Sequence, residues 1–245
     1  MKTNNVPRKY GKGILVSLLF LVGLSAYSQV VPGVYLHEIV QKGTKTVHQL
    51  KLGQDYLIYT VYEEHPAKFF KSIGGFYHMD QDTIRVDLEF NSNYEIDSLK
   101  TWAAPLRTEN KNLVLTLDSN KVFKKEPHLM QPLDATWLFA TRGPDTGQER
   151  RGAENSRKTL KFLKDGTFQW IAYDTDSMKF SGTGGGSYTS LNGVYTEHIA
   201  FFSRDNARVG TSLEFRYEVK GEDWHHTGSN SKGEPLYEIW TKRSE

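Results

Sequence analysis

The sequence predicts an all-β protein built from two tandem, small antiparallel barrels. Three observations carry that expectation. Ala67–Asn91 and Met178–Phe202 match without a gap at an offset of 111 residues. Phe69 falls on Phe180, Gly74-Gly75 on Gly185-Gly186, Tyr77 on Tyr188, Leu88 on Ile199 and Phe90 on Phe201. Apolar residues recur with period two, the signature of half-buried strands, while helical periodicity is almost absent. Aromatic residues make up 13% of the chain beside 21 glycines, a composition suited to strands and tight turns.

Residues 1–28 read as a secretory signal outside the fold. Lys2, Arg8, Lys9 and Lys12 form a basic start, Gly13–Leu24 is a short apolar run, and Ala26-Tyr27-Ser28 sets small residues before a cleavage point at Gln29. The run falls short of the ~20 apolar residues of a spanning helix, so no membrane span is expected after cleavage. With no cysteine there is neither a lipidated N-terminus nor a disulfide framework. The expected product is secreted or periplasmic. The signal carries four of the cations behind the net charge of +2, so the remainder stands at −2. A basic nucleic-acid footprint is therefore missing.

The internal repeat divides the rest into a first unit, 29–128, and a second, 132–245. Glu126–Pro132 (EPHLMQP) joins them as a two-proline linker, since proline lacks the N–H that a ladder needs. Each unit opens on a short aromatic strand, Gly33-Val34-Tyr35-Leu36 and Ala135-Thr136-Trp137-Leu138. Tyr56–Tyr62 and Phe168–Tyr173 then share one register, Tyr59 on Trp170 and Tyr62 on Tyr173. Ile84, Val86, Leu88 and Phe90 alternate with charged residues, as do Leu213, Phe215, Tyr217 and Val219. Turns are marked at Asp165-Gly166, Asn192-Gly193, Gly221 and Gly233. So many strands in about 100 residues suit closed barrels, which have no free edges. Arg142–Arg157 is a long charged loop in the second unit, either a lid over a barrel mouth or an ordinary surface loop.

The second unit resembles the lipocalin-like domains of secreted bacterial proteins. The resemblance rests on Thr136-Trp137-Leu138, Lys161–Trp170, the glycine strand, Phe215–Glu218 and Leu236–Arg243. Lipocalins carry G-x-W in the first strand, and a basic residue of the last strand packs over that Trp. Here Ala135 stands at the Gly position, and Lys242 or Arg243 would be the basic residue. The first unit shares the likeness through the repeat, with Gly33-x-Tyr35. The resemblance implies a barrel with a small-molecule pocket and names no ligand.

The glycine run Gly182–Ser187 lacks the Lys-Ser/Thr of a phosphate loop and reads as a bulge or bend shared by both units. No nucleophile or metal motif occurs, so no catalytic residue, metal or cofactor is assigned. In Trp224-His225-His226 adjacent side chains point to opposite strand faces, so the two histidines would not chelate one ion. His226 shares the face of Trp224.

Transferring the first unit's inward face by 111 residues places Tyr195, Glu197, Ile199 and Phe201 inside the second. Val86 thereby becomes Glu197. A lone buried carboxylate costs several kcal/mol, so Glu197 needs a partner; His226, Arg208 and Arg204 are the candidates. A binding site follows, with Glu197 and His226 as polar groups and Trp170, Tyr195, Tyr217 and Trp224 as walls. The expected function is binding of a small molecule, lipophilic ones included, in the second barrel. Two alternatives stand: a barrel-pocket isomerase, cyclase or hydrolase using Glu197 and His226, and an accessory protein with filled barrels. Ligand identity and oligomeric state are not encoded in these patterns.

Overall fold

The structure is a computed structural model that describes residues 1–2, 30–229 and 233–243. The expected signal therefore lies, but for its first two residues, outside the described residues. The first barrel comprises β1 (Gly33–Gln41), β2 (Thr44–Leu52), β3 (Tyr56–Glu63), β4 (Lys68–Asp80), β5 (Thr83–Asn91), β6 (Thr101–Glu109), β7 (Asn112–Thr116) and β8 (Asn120–Lys125). The second comprises β9 (Ala135–Arg142), β10 (Arg157–Lys164), β11 (Thr167–Asp174), β12 (Lys179–Leu191), β13 (Val194–Phe202), β14 (Ser212–Lys220), β15 (Asp223–Ser229) and β16 (Pro235–Lys242). Each set is antiparallel, pairs neighbour to neighbour, and closes first strand on last, β1 on β8 and β9 on β16. Closure satisfies every edge, which is why two small units without disulfides can stand as sheets.

The offset of 111 survives in the ladders. Leu50 faces Tyr59 as Lys161 faces Trp170, and Val86 faces Trp102 as Glu197 faces Leu213. The opening aromatics match too. The Tyr35 hydroxyl donates to the Val31 carbonyl (2.6 Å), and the Trp137 indole donates to the Leu133 carbonyl (2.9 Å), four residues upstream in each case.

The glycine pairs sit at bulges. Gly74 faces Phe90 and Gly75 faces Leu88, so Glu89 is an extra residue; Gly185 faces Phe201 and Gly186 faces Ile199, so Ala200 is extra. An extra residue reverses the alternation beyond it. This corrects the expected inward face: Leu88 and Ile199 join the barrel cores, whereas Phe90 and Phe201 turn outward. A Cβ on Gly74 or Gly185 would meet those rings at 2.7 and 2.6 Å, so the glycines leave room for phenylalanine on the outer wall.

Those outward rings meet the other barrel. The run β3 is buried along nearly its whole length because one face fills the first barrel and the other packs on the second. At the junction, Gln169 Nε2 donates to Ser72 Oγ (3.0 Å) and Thr183 Oγ1 (3.1 Å), while its oxygen accepts from Thr60 (3.1 Å). Arg243 makes a two-pronged pair with Glu89 (both 2.8 Å), which also accepts from Tyr173 (2.7 Å) and Tyr56 (2.9 Å). The Arg243 guanidinium lies over Tyr56 and Phe76. Of the two residues expected to pack over Trp137, Lys242 or Arg243, the second is thereby corrected: Arg243 serves the junction between barrels. In the first barrel Lys125 does lie over Tyr35, 5.6 Å from the ring centre.

Candidate functional site

The second barrel holds a cavity of about 270 Å³. Trp170, Phe202, Phe215 and Trp240 supply aromatic walls, with Ile199, Leu213 and Leu236 between them. Lys161, Glu197, His226 and Glu238 supply the polar groups, and Arg208 lies on the lining with about a third of its side chain in solvent.

Glu197 is buried and faces inward, as Val86 does in the first barrel. Its partner is Lys161, whose Nζ donates to Oε1 at 2.9 Å; the Tyr195 hydroxyl donates to the same oxygen at 2.8 Å. None of the three candidate partners fills that role. Arg204 donates to the Ser181 carbonyl, Arg208 pairs with Asp205 at 3.7 Å, and His226 faces Glu238. Lys161 comes from β10, across the barrel from β13. A signal for it existed: at the same offset, Leu50 has become Lys161. The repeat thus exchanges two apolar core residues for one ion pair.

The Lys161 ammonium is enclosed by the rings of Trp224 (5.0 Å), Tyr195 (5.1 Å) and Trp240 (5.2 Å). Aromatic faces attract a cation, which offsets part of the cost of burying it. Burial, then the Glu197 charge, pushes the Tyr195 hydroxyl well above its ordinary range, so it remains a donor.

His226 sits on the same wall with 2% of its surface exposed. Among the described residues neither ring nitrogen has a hydrogen-bond partner; Nδ1 lies 3.5 Å from Glu238 Oε2, a long polar contact. Burial, helped by Lys161, drives its pKa down to about 4, so the ring is neutral at pH 7 and offers one donor and one acceptor. Burial works against the Glu238 carboxylate, yet His226 and Lys161 outweigh it and hold Glu238 below the usual range, ionised. Trp240 Nε1 donates to its Oε2 at 3.1 Å. His225, one residue away, points to the other face and meets the Tyr237 hydroxyl (2.9 Å).

Of the residues anticipated from sequence, Glu197, His226 and Trp170 line the cavity. Tyr195 and Trp224 are fully buried behind it, against Lys161. Tyr217 packs against the same core cluster but does not line the cavity. Lys161, Glu238, Trp240, Phe202 and Phe215 complete the site. The Arg142–Arg157 loop contributes nothing to the lining; Arg150 ties it to Asp223 (2.7 Å) and Thr241 (2.8 Å).

A larger groove, about 970 Å³, lies along Tyr77–Asp82 and Leu106–Thr108 of the first barrel. Among the described residues it carries no unpartnered buried polar atom. Those atoms are Ser190 Oγ, Trp224 Nε1 and the two nitrogens of His226, all in the second barrel. The first barrel fills the place of the cavity itself. Trp102 stands where the second has Leu213, and it stacks on Tyr59 at 5.9 Å. No known family model and no curated protein matches the chain.

Proposed function

We propose that this chain is a secreted or periplasmic small-molecule-binding protein of lipocalin-like type, with its site in the second barrel. One observation carries the reading. Two barrels share a register, and at that register only the second replaces packed apolar and aromatic residues with an ion pair, a buried histidine lacking partners, and a cavity. A buried polar group without a hydrogen bond costs about 1–3 kcal/mol, and a ligand that supplies the bond recovers that cost. Aromatic lining with a few placed polar groups is the general character of small-ligand sites. The Glu197 carboxylate is hydrogen-bonded to Lys161 and Tyr195 and not to His226, which favours binding over acid–base turnover by that pair.

The test is titration of the purified chain with the neutral fluorophore N-phenyl-1-naphthylamine, alongside native mass spectrometry for a co-purified molecule. Leu213→Trp installs the residue of the first barrel and should fill the cavity. Saturable binding that this variant abolishes, at unchanged thermal stability, supports the proposal. Equal binding by both proteins, or no binding together with no co-purified molecule, overturns it.

A further inference from the structure

We infer that the second-barrel cavity selects a small aromatic amine in its protonated form. The inference rests on the binding role proposed above and adds the chemical class of ligand.

The charges that face the cavity decide the sign. Lys161 is already paired with Glu197 and caged by three rings, so it has little to offer an anion. Among the described residues of the lining, Glu238 is the carboxylate with no Lys or Arg bonded to it: the Trp240 indole N–H and the neutral ring of His226 touch it, and the Lys161 charge acts on it only from beyond bonding distance. About a fifth of its side chain is open, on the cavity lining. Arg208, the remaining cation, is partly solvated and pairs with Asp205. An ammonium group placed between Glu238 and His226 would donate to a carboxylate oxygen and to the free imidazole nitrogen together. That satisfies a buried atom which is otherwise orphaned. A carboxylate head in the same place would face Glu238 with no uncommitted cation beside it.

The walls decide the body. Trp170, Trp240, Phe202 and Phe215 present ring faces and edges to the cavity. They attract a cation electrostatically and stack on a flat ring. About 270 Å³ admits one or two fused rings with a short side chain.

The experiment compares three ligands on one three-carbon chain by calorimetry at pH 7: 3-phenylpropylamine, 3-phenyl-1-propanol and 3-phenylpropionate, with tryptamine as a larger amine. The amines should bind at least tenfold more tightly than the alcohol, and the acid least. Glu238→Gln should cost the amines at least tenfold more than it costs the alcohol. If that variant is poorly folded, the order of the three ligands on the unaltered protein still decides. An alcohol or acid that binds as well as the amines overturns the amine class and leaves the pocket in place. Failure of all four ligands, when N-phenyl-1-naphthylamine binds, also overturns the class. Failure of that probe as well, with no co-purified molecule, overturns the binding role itself.

Discussion

Phe69 and Phe180 occupy one position in the two repeats, and their rings lie against each other, 6.3 Å apart and 3° from parallel. The surrounding contacts come in exchanged pairs. Phe90 meets Tyr173 (5.3 Å) as Phe201 meets Tyr62 (4.7 Å), and Phe69 meets Phe201 (6.4 Å) as Phe180 meets Phe90 (6.5 Å). Each partner in one contact is the 111-residue equivalent of a partner in the other. This is the isologous geometry of a twofold dimer, realised within one chain. The glycine bulge makes it possible by turning Phe90 and Phe201 outward. The same device therefore shapes each barrel and joins the two.

The junction breaks its symmetry at Glu89, whose counterpart is Ala200. Arg243 and Glu89 form a buried two-pronged pair there. Removing one partner of such a pair strands the other, at a cost of about 3–5 kcal/mol. Arg243→Met should lower stability by that amount in urea denaturation. Because the junction couples the barrels, Trp102 of the first and the four tryptophans of the second should still report one transition in the unaltered protein. Two separated transitions there would refute the coupling.

The strands and their order were legible because period two and an ungapped repeat are local signals. The outward turn of Phe90 was not, because one bulged residue reverses the faces and the alternating pattern IRVDLEF gives no sign of it. Glu197 was legible as a departure from the repeat. Lys161 was equally so at Leu50, but it shares the stretch RKTLKFLKDG with four other charged residues, and a lysine there reads as solvated. The site's depth depends on which aromatic residues fill a barrel and which merely line it. Tyr59 and Trp170 share a register, and only the neighbouring Trp102 or Leu213 decides between a plug and a cavity.

The second glycine of each bulge carries a sharp prediction. A Cβ on Gly186 would lie 1.9 Å from the His198 carbonyl oxygen and 2.7 Å from the Ala200 nitrogen, both backbone atoms that cannot swing aside. Gly186→Ala should cost at least about 3 kcal/mol, the upper range for overpacking. Gly147→Ala is the contrast. Its φ of +90° is unfavourable for alanine, yet nothing lies within 4 Å, so a loss of about 1–2 kcal/mol is expected. Thermal melts of both variants decide; equal losses would show that the Gly186 contact relaxes.

Lys51 sits on the outer face of β2, fully buried where the barrels meet, with Gln49 as its hydrogen-bond partner. Burial lowers its pKa from 10.5 to about 7. Between those values the unfolded chain holds a proton that the folded chain has released, so stability rises with pH from about 7 upward. Below pH 7 both states are charged and the full cost of burial is felt. Lys51→Met should therefore stabilise the protein at pH 6 by a few kcal/mol, since each tenfold loss of proton affinity on folding corresponds to about 1.4 kcal/mol. It should also flatten the gain in stability between pH 7 and 9. A less stable variant, or an unchanged pH profile, would show that Lys51 keeps its proton inside.

The exchange of Leu50 and Val86 for Lys161 and Glu197 can be run backwards. Glu197→Gln alone leaves a buried ammonium without its counter-charge, and should destabilise by about 3–5 kcal/mol. Lys161→Leu with Glu197→Val restores the first barrel's pair. Replacing a buried ion pair by apolar residues of similar volume is commonly neutral or stabilising by about 1–4 kcal/mol. The double variant should therefore melt at or above the unaltered protein, although the single variant melts well below it. Retained stability with lost binding of N-phenyl-1-naphthylamine would mark the pair as kept for the ligand. A double variant no more stable than Glu197→Gln would instead mark the pair as part of the barrel's own structure. Calorimetric melts of the three proteins, read beside the titration, separate the two roles.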